Sequence, residues 1–255
     1  MTVNDTQTTT SVPRLAARRL SKLYGHVAAL DDVSIDFRPG LNGIIGDNGA
    51  GKSTLLKILS GVELPDEGAV FVDGRPTLLV STRAARAAGI ESLYQDLALV
   101  DTMSIADNIF LGRERIRRVL GVPIVDRRRM RNEADAALRE VRIRMPSARV
   151  GVRQLSGGQR QAVAITRAML FGARVVLLDE PTAALGPRET AAALRIVRDM
   201  ADRGETVVMV GHNLPQMLEL ADALIVMRAG RVVASVDPAH TTLRDLTDFM
   251  VGSNA

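Results

Sequence analysis

The chain has 255 residues, 46% apolar and 24% charged, with a formal net charge of +4. That is an ordinary globular balance, long enough for one sizeable core. Cysteine is absent, which excludes disulfides, thiolate metal sites and a cysteine nucleophile and fits a reducing compartment. Aromatics at 3% and no tryptophan argue against a base-stacking nucleic-acid platform.

In chain order, residues 1–12 are polar and threonine-rich, which predicts a disordered tail and not a signal peptide. Leu41 to Ile45 reads as a short apolar strand entering a glycine-rich turn, and Lys52 to Ser60 as a helix stopped by Gly61. Ala69 to Val72 reads as a strand ended by an Asp73-Gly74 turn. From about 97 to 158 strong strands are lacking and arginine is abundant. This stretch is expected to be a helical insertion, with Asp126 capping a helix from Arg127 to about Arg142. Its basic clusters are Arg113, Arg115, Arg117, Arg118 and Arg127, Arg128, Arg129, Arg131. They read as a solvated helical surface or, more sharply, as a contact for acidic partner loops or lipid headgroups.

Val175–Leu178, Val207–Val210 and Leu224–Met227 are continuous apolar runs, as buried parallel strands require, and Glu189 to Asp202 reads as one of the helices between them. The alternation predicts an α/β fold with a mostly parallel sheet flanked by helices. No run approaches 18 consecutive apolar residues, so no membrane span is expected.

Gly46-Asp47-Asn48-Gly49-Ala50-Gly51-Lys52-Ser53 matches G-x-x-x-x-G-K-[ST] between that strand and that helix. Glycines let successive backbone N–H groups converge on an anion, and the helix N-terminus points its positive end there. Lys52 is suited to the β- and γ-phosphates and the Ser53 hydroxyl to Mg²⁺. Lys52 is one of only three lysines, with Lys22 and Lys57, in a chain that otherwise uses arginine. A compact ammonium fits where a planar guanidinium does not.

Leu155-Ser156-Gly157-Gly158-Gln159 reads as a second anion-binding helix start with Ser156 as N-cap, about 100 residues from the first. One chain has little use for two such sites around one phosphate tail. Two chains placed head to tail would use both. Val175 to Glu180 is an apolar strand ending in two carboxylates. Beside a phosphate loop, Asp179 suits the Mg²⁺ shell and Glu180 the attacking water. His212 ends another apolar strand, where a donor to the γ-phosphate is expected.

This ordered set resembles the nucleotide-binding subunit of the ABC transporter superfamily over residues 14 to 250. The resemblance implies a P-loop NTPase fold with a mostly parallel core, an N-terminal antiparallel β subdomain and a helical subdomain near 97–158. The whole of 13–255 would form one nucleotide-binding domain. It implies ATP hydrolysis with Mg²⁺ held by Ser53, Gln95 and Asp179, with Gln95 also the hinge to the helical subdomain. It assigns catalysis to Glu180, His212, Gln95 and Lys52, and nucleotide contacts to Gly46 through Thr54 and to Ser156–Gln159. Tyr24, in Lys22-Leu23-Tyr24-Gly25, matches the aromatic that stacks on adenine.

GDNGAGKST, MSIADNIFLGRE at 103–114 and HNLPQ at 212–216 are similar to ATPases of ribose, xylose and fructose importers. The implied partners are a second ATPase subunit, identical or paired, transmembrane permease subunits and a substrate-binding protein, with no nucleic acid. The implied location is peripheral, on the cytoplasmic face of the cell membrane. An exporter ATPase, or a soluble relative acting on nucleic acid or ribosomes, is the alternative. One position departs from the family: Gly186 stands where an aspartate that contacts the opposite subunit is usual.

Overall fold

The computed structural model describes residues 12–93, 97–140, 144–182 and 186–252. In chain order the elements are β1 (Leu15–Tyr24), β2 (Val27–Phe37), β3 (Gly40–Ile45), α1 (Lys52–Leu59), β4 (Glu67–Val72), β5 (Arg75–Pro76), α2 (Thr82–Ala87) and β6 (Ile90–Leu93). Then come α3 (Ile105–Ile109), β7 (Ile116–Val119), β8 (Val122–Val125), α4 (Arg127–Glu140), α5 (Gly157–Leu170) and β9 (Val175–Asp179). The last are α6 (Pro187–Asp202), β10 (Thr206–Val210), α7 (Leu214–Leu220), β11 (Ala223–Arg228), β12 (Arg231–Val236) and α8 (Leu243–Val251).

The apolar runs lie side by side in one sheet ordered β12-β11-β3-β10-β9-β6, parallel except for the β11/β12 pair. Side chains alternate across a strand, so a strand covered on both faces is largely apolar throughout. Ile44, Val175, Leu177, Val208, Val210, Ile225 and Met227 face one core, shared with α1 and the antiparallel sheet β2-β1-β4-β5. Leu41, Ile45, Val176, Leu178, Val207, Met209, Leu224 and Val226 face the other, covered by α5 and α6. The antiparallel sheet is the expected N-terminal β subdomain.

A third core joins α3, α4 and the apolar face of α5 through Ile105, Ile109, Phe110, Met130, Ala134, Leu138 and Val163. Buried Asn108 ties the segment before α3 to it: its Oδ1 accepts from Val100 N at 2.7 Å and its Nδ2 donates to the Val100 and Ser104 carbonyls, each at 3.0 Å. Asp126 caps α4 as expected, accepting from Arg129 N at 3.0 Å.

Within the stretch expected to be helical and to lack strong strands, a short exposed β7/β8 hairpin stands between α3 and α4. The arginine clusters are not a uniformly solvated surface. Arg113 pairs with Glu91 and lies over the Phe171 ring, and Arg115 and Arg129 share Glu133. Among the described residues no helix is long and apolar enough to cross a membrane. The tail expected at 1–12 lies, but for Val12, outside the described residues, as does the far end of the helix expected to reach Arg142.

At the amino end of β3, Asp222 accepts from the backbone N–H of fully buried Leu41 at 2.7 Å and pairs with Arg198 at 2.9 Å. Asp222→Ala leaves that N–H without its acceptor. It should cost about 1–3 kcal/mol, seen as a lower urea midpoint at unchanged m value.

Candidate functional site

Three neighbouring parallel strands, β3, β10 and β9, release their carboxyl ends at the same edge of the sheet. Open α/β sheets bind ligands at that edge. β3 runs into the glycine loop, β9 ends at Asp179 and Glu180, and β10 ends at Val210, followed by Gly211 and His212.

The loop is wedged between backbones. A Cβ on Gly46 would lie 2.2 Å from Met227 O of β11, and one on Gly51 would lie 2.4 Å from Ala29 O of β2. Both glycines also have positive φ, 153° and 99°, so no side chain fits either place. Gly51 caps α1, and Lys52 is its first residue, 5% exposed. Lys52 Nζ donates to Gly46 O at 2.7 Å and Asp47 O at 2.9 Å, so the ammonium closes the loop from inside. Burial lowers its pKa, while Glu180, Asp47 and Asp179 oppose the shift. Asp47, Asn48, Gly49 and Ser53 are exposed at the loop rim; Ala50 is buried and Thr54 half-buried.

Asp179 is pushed above the usual carboxylate range, first by burial and then by Glu180, against the pull of Lys52 and His212. Glu180 holds a left-handed backbone at φ 47°, and its N–H donates to Val210 O at 3.2 Å. Such strain persists where the surroundings over-determine it, commonly at active sites. The Glu180 Oε1 and His212 Nε2 are in direct hydrogen-bond contact. A cavity of about 290 Å³ opens beside this pair, lined also by Thr182, Thr190 and Gln216.

Tyr24, at the end of β1, is partly exposed and donates its hydroxyl to Glu63, which Lys57 Nζ approaches at 3.3 Å. Glu63 was not singled out from sequence, since 39 residues separate it from Tyr24 and no motif marks it.

Ser156–Gln159 form the expected cap on a different element. Ser156 Oγ accepts from Gln159 N at 3.4 Å, Gln159 Oε1 accepts from Ser156 N at 3.1 Å, and Gln159 Nε2 donates to Arg144 O at 3.0 Å. A Cβ on Gly158 would meet the Glu189 side chain of α6 at 3.1 Å, so α5 and α6 pack closely here. Gly157 opens α5. Gln95 lies outside the described residues, as do residues 183–185 before Gly186.

A strand-borne phosphate loop beside a carboxylate-ended strand defines a P-loop nucleotide hydrolase. Comparison with known proteins makes this specific. The ABC transporter family matches residues 30–183. The chain is 44% identical to the fructose import ATP-binding protein FrcA of Rhizobium meliloti, over 94% of this chain and 95% of that protein. It is 39% identical to the xylose/arabinose import ATP-binding protein XylG of Sulfolobus acidocaldarius, over 92% and 93%. The ribose import ATP-binding protein RbsA of Corynebacterium glutamicum is 39% identical over 94% of this chain, which spans 45% of that protein. Among solved structures, the ADP conformation of an ATP-binding cassette of an ABC transporter superposes with TM-score 0.77 at 24% identity, covering 93% of this chain and 94% of that one. The last likeness bears on fold alone. The chain therefore belongs to the ABC transporter family, as an ATP-binding, ATP-hydrolysing subunit.

The raised Asp179 pKa carries a sign. Burial favours the protonated acid, so the stability this group contributes is present at low pH and lost as pH rises through its raised pKa. Asp179→Asn should therefore melt above wild type at neutral pH without nucleotide or metal. The gap should be about 2–4 °C for each kcal/mol relieved and close as pH falls below the ordinary carboxylate range. Equal melting curves at neutral pH would remove the argument.

Proposed function

We propose that this chain powers a sugar importer, pairing head to tail with a second ATPase subunit beneath transmembrane permease subunits fed by a substrate-binding protein. It would lie peripherally on the cytoplasmic face of the membrane. The observation that carries the hydrolytic part is the convergence of Lys52, Asp179, Glu180 and His212 at the carboxyl edge of β3, β9 and β10. Support for sugar import comes from full-length similarity to proteins named for fructose and for xylose/arabinose import. Residues 13–255 act as one nucleotide-binding domain, with 97–158 as its helical subdomain.

The loop N–H groups from Gly46 to Thr54 bind the phosphates, and Lys52 leaves its two carbonyl partners for the β- and γ-oxygens. The hard oxygen donors Ser53 and Asp179 suit Mg²⁺, and the electrostatic cost that Asp179 carries here is what a cation would relieve. Gln95 completes that set. When bound, the ion neutralises charge on the phosphate oxygens. Glu180 orients the attacking water in line with the γ-phosphate, and His212, released from its contact with Glu180, donates to the γ-phosphate. Tyr24 stacks on the base, with Glu63 fixing its ring. Ser156, Gly157, Gly158 and Gln159 close over the nucleotide of the opposite subunit, and Gln95 transmits that closure to the helical subdomain.

Glu180→Gln should keep ATP affinity and slow hydrolysis by about 10²–10⁴-fold, the usual worth of a general base, with an ATP-bound dimer accumulating on size exclusion. Wild-type turnover in that variant would remove Glu180 from the chemistry.

Ser156→Arg should abolish hydrolysis while the monomer binds ATP unchanged. Normal turnover would end the composite-site reading. The transport assignment is tested by isolating the membrane subunits that co-purify with the chain and measuring ATP-driven sugar uptake in reconstituted vesicles.

A further inference from the structure

None of the residues assigned to the nucleotide lies in the β7/β8 hairpin, which is unusual in what it exposes. Ile116 pairs with Val125 and Val119 with Val122, leaving Leu120-Gly121 as a two-residue turn with φ of 50° and 85°. Positive φ at both places is the type I′ turn, which favours Asn-Gly or Asp-Gly. This chain puts leucine at the first position, in a backbone region that bulky residues avoid, and the side chain is 99% exposed. Ile116, Val119, Val122 and Val125 are exposed beside it.

The charge pattern is equally one-sided. Asp126 is the one acid between Arg115 and Arg128, and it is engaged in capping α4. Arg117, Arg118, Arg127 and Arg128 form no ion pair among the described residues, whereas Arg113, Arg115 and Arg129 do. The base of the hairpin is anchored: Asp126 N donates to Arg115 O at 2.7 Å, and the Arg115 side chain lies over the Phe110 ring while holding Glu133. A fixed base thus carries a projecting apolar tip within a field of free cations.

The register distributes the charge over both faces. Arg117 lies opposite Ile124 and Arg118 opposite Pro123, so successive pairs put one arginine on each face of the ribbon. A protein groove would select one face. A tip that is apolar at its apex and cationic on both faces matches the boundary of an anionic bilayer.

We propose that this hairpin is a membrane-surface contact, with Leu120, Val119 and Val122 entering the headgroup boundary of an anionic lipid surface and Arg117, Arg118, Arg127 and Arg128 meeting the lipid phosphates. The inference uses nothing from the nucleotide site.

The test is co-sedimentation of the purified full chain with vesicles of phosphatidylcholine alone or with added phosphatidylglycerol. Binding should require the anionic lipid and collapse near 1 M salt, where the Debye length is about 3 Å. Each surface arginine is worth about fivefold in affinity, so R117E/R118E should weaken binding by more than roughly tenfold. Leu120→Asn is the decisive variant. Asparagine suits the turn better than leucine, so melting temperature and ATP hydrolysis should hold or improve while vesicle binding falls. The proposal is overturned if wild type ignores anionic vesicles at low salt, or if Leu120→Asn binds them as wild type does. It is also overturned if wild type shows no vesicle binding but Leu120→Asn weakens co-purification of membrane subunits, because the occupant would then be a protein.

Discussion

The site depends on one buried charge. Lys52 brings an ammonium to a place where its desolvation is unfavourable, and two backbone carbonyls of its own loop compensate for lost water. The same loop holds Gly46 and Gly51 at backbone angles closed to other residues, where an added Cβ would run into β11 and β2. The loop is therefore a joint between the two sheets as well as a phosphate cradle. The carboxylates across from it complete the balance: Asp179 and Glu180 stabilise the ammonium, and Lys52 in turn pulls down the carboxyl of Asp179. Any cation or phosphate arriving there meets groups whose charges are already held in tension.

The next residue, Glu180, is one of the strained backbone positions. Glu180 leaves β9 in a left-handed conformation and is tied back to β10 through Val210 O, whose strand leads two residues later to His212. Strand pairing thus places the glutamate and histidine together, and the register Val210 opposite Asp179 is the geometric cause of their contact. This is a rigid element doing the positioning, with the ladder of β9 and β10 buried on both faces.

Legibility followed unbroken apolarity. Continuous apolar runs read correctly to within one residue, Val175–Leu178 against Val175–Asp179 and Val207–Val210 against Thr206–Val210, whereas β6, buried but interrupted by Glu91 and Ser92, went unread. β1 and β2 resisted delimitation because they carry Arg18, Arg19, Asp31, Asp32 and Asp36 and their pairing slips at several bulges, which breaks the period-two pattern. The β7/β8 hairpin was hidden by its own chemistry, with arginines in the strands and leucine where a turn residue belongs. Of the site, the loop, the two carboxylates and the histidine were legible because each ends a buried strand. Glu63 and Glu189 were not, because what marks them is a neighbour dozens of residues away: Tyr24 for one, Gly158 for the other.

Gly186 gains a physical context from the same geometry. It caps α6 with an extended backbone and no side-chain hydrogen bond, in the place where the family's aspartate would stand. Three residues on, Glu189 turns its Oε2 to within 2.8 Å of where a Cβ on Gly186 would lie, so a carboxylate occupies this corner after all. It sits in the first turn of α6, where negative charge is favoured, and its stem packs on Gly158 in the capped start of α5. Gly186 itself follows Glu180 by only six residues. Glu189 thus links the first turn of α6 to the capped start of α5. A Cβ at 186 would meet only the carboxylate end of Glu189, whereas the stem of that side chain lies against Gly158. The carboxylate near this corner therefore comes from the first turn of α6, three residues on from the glycine.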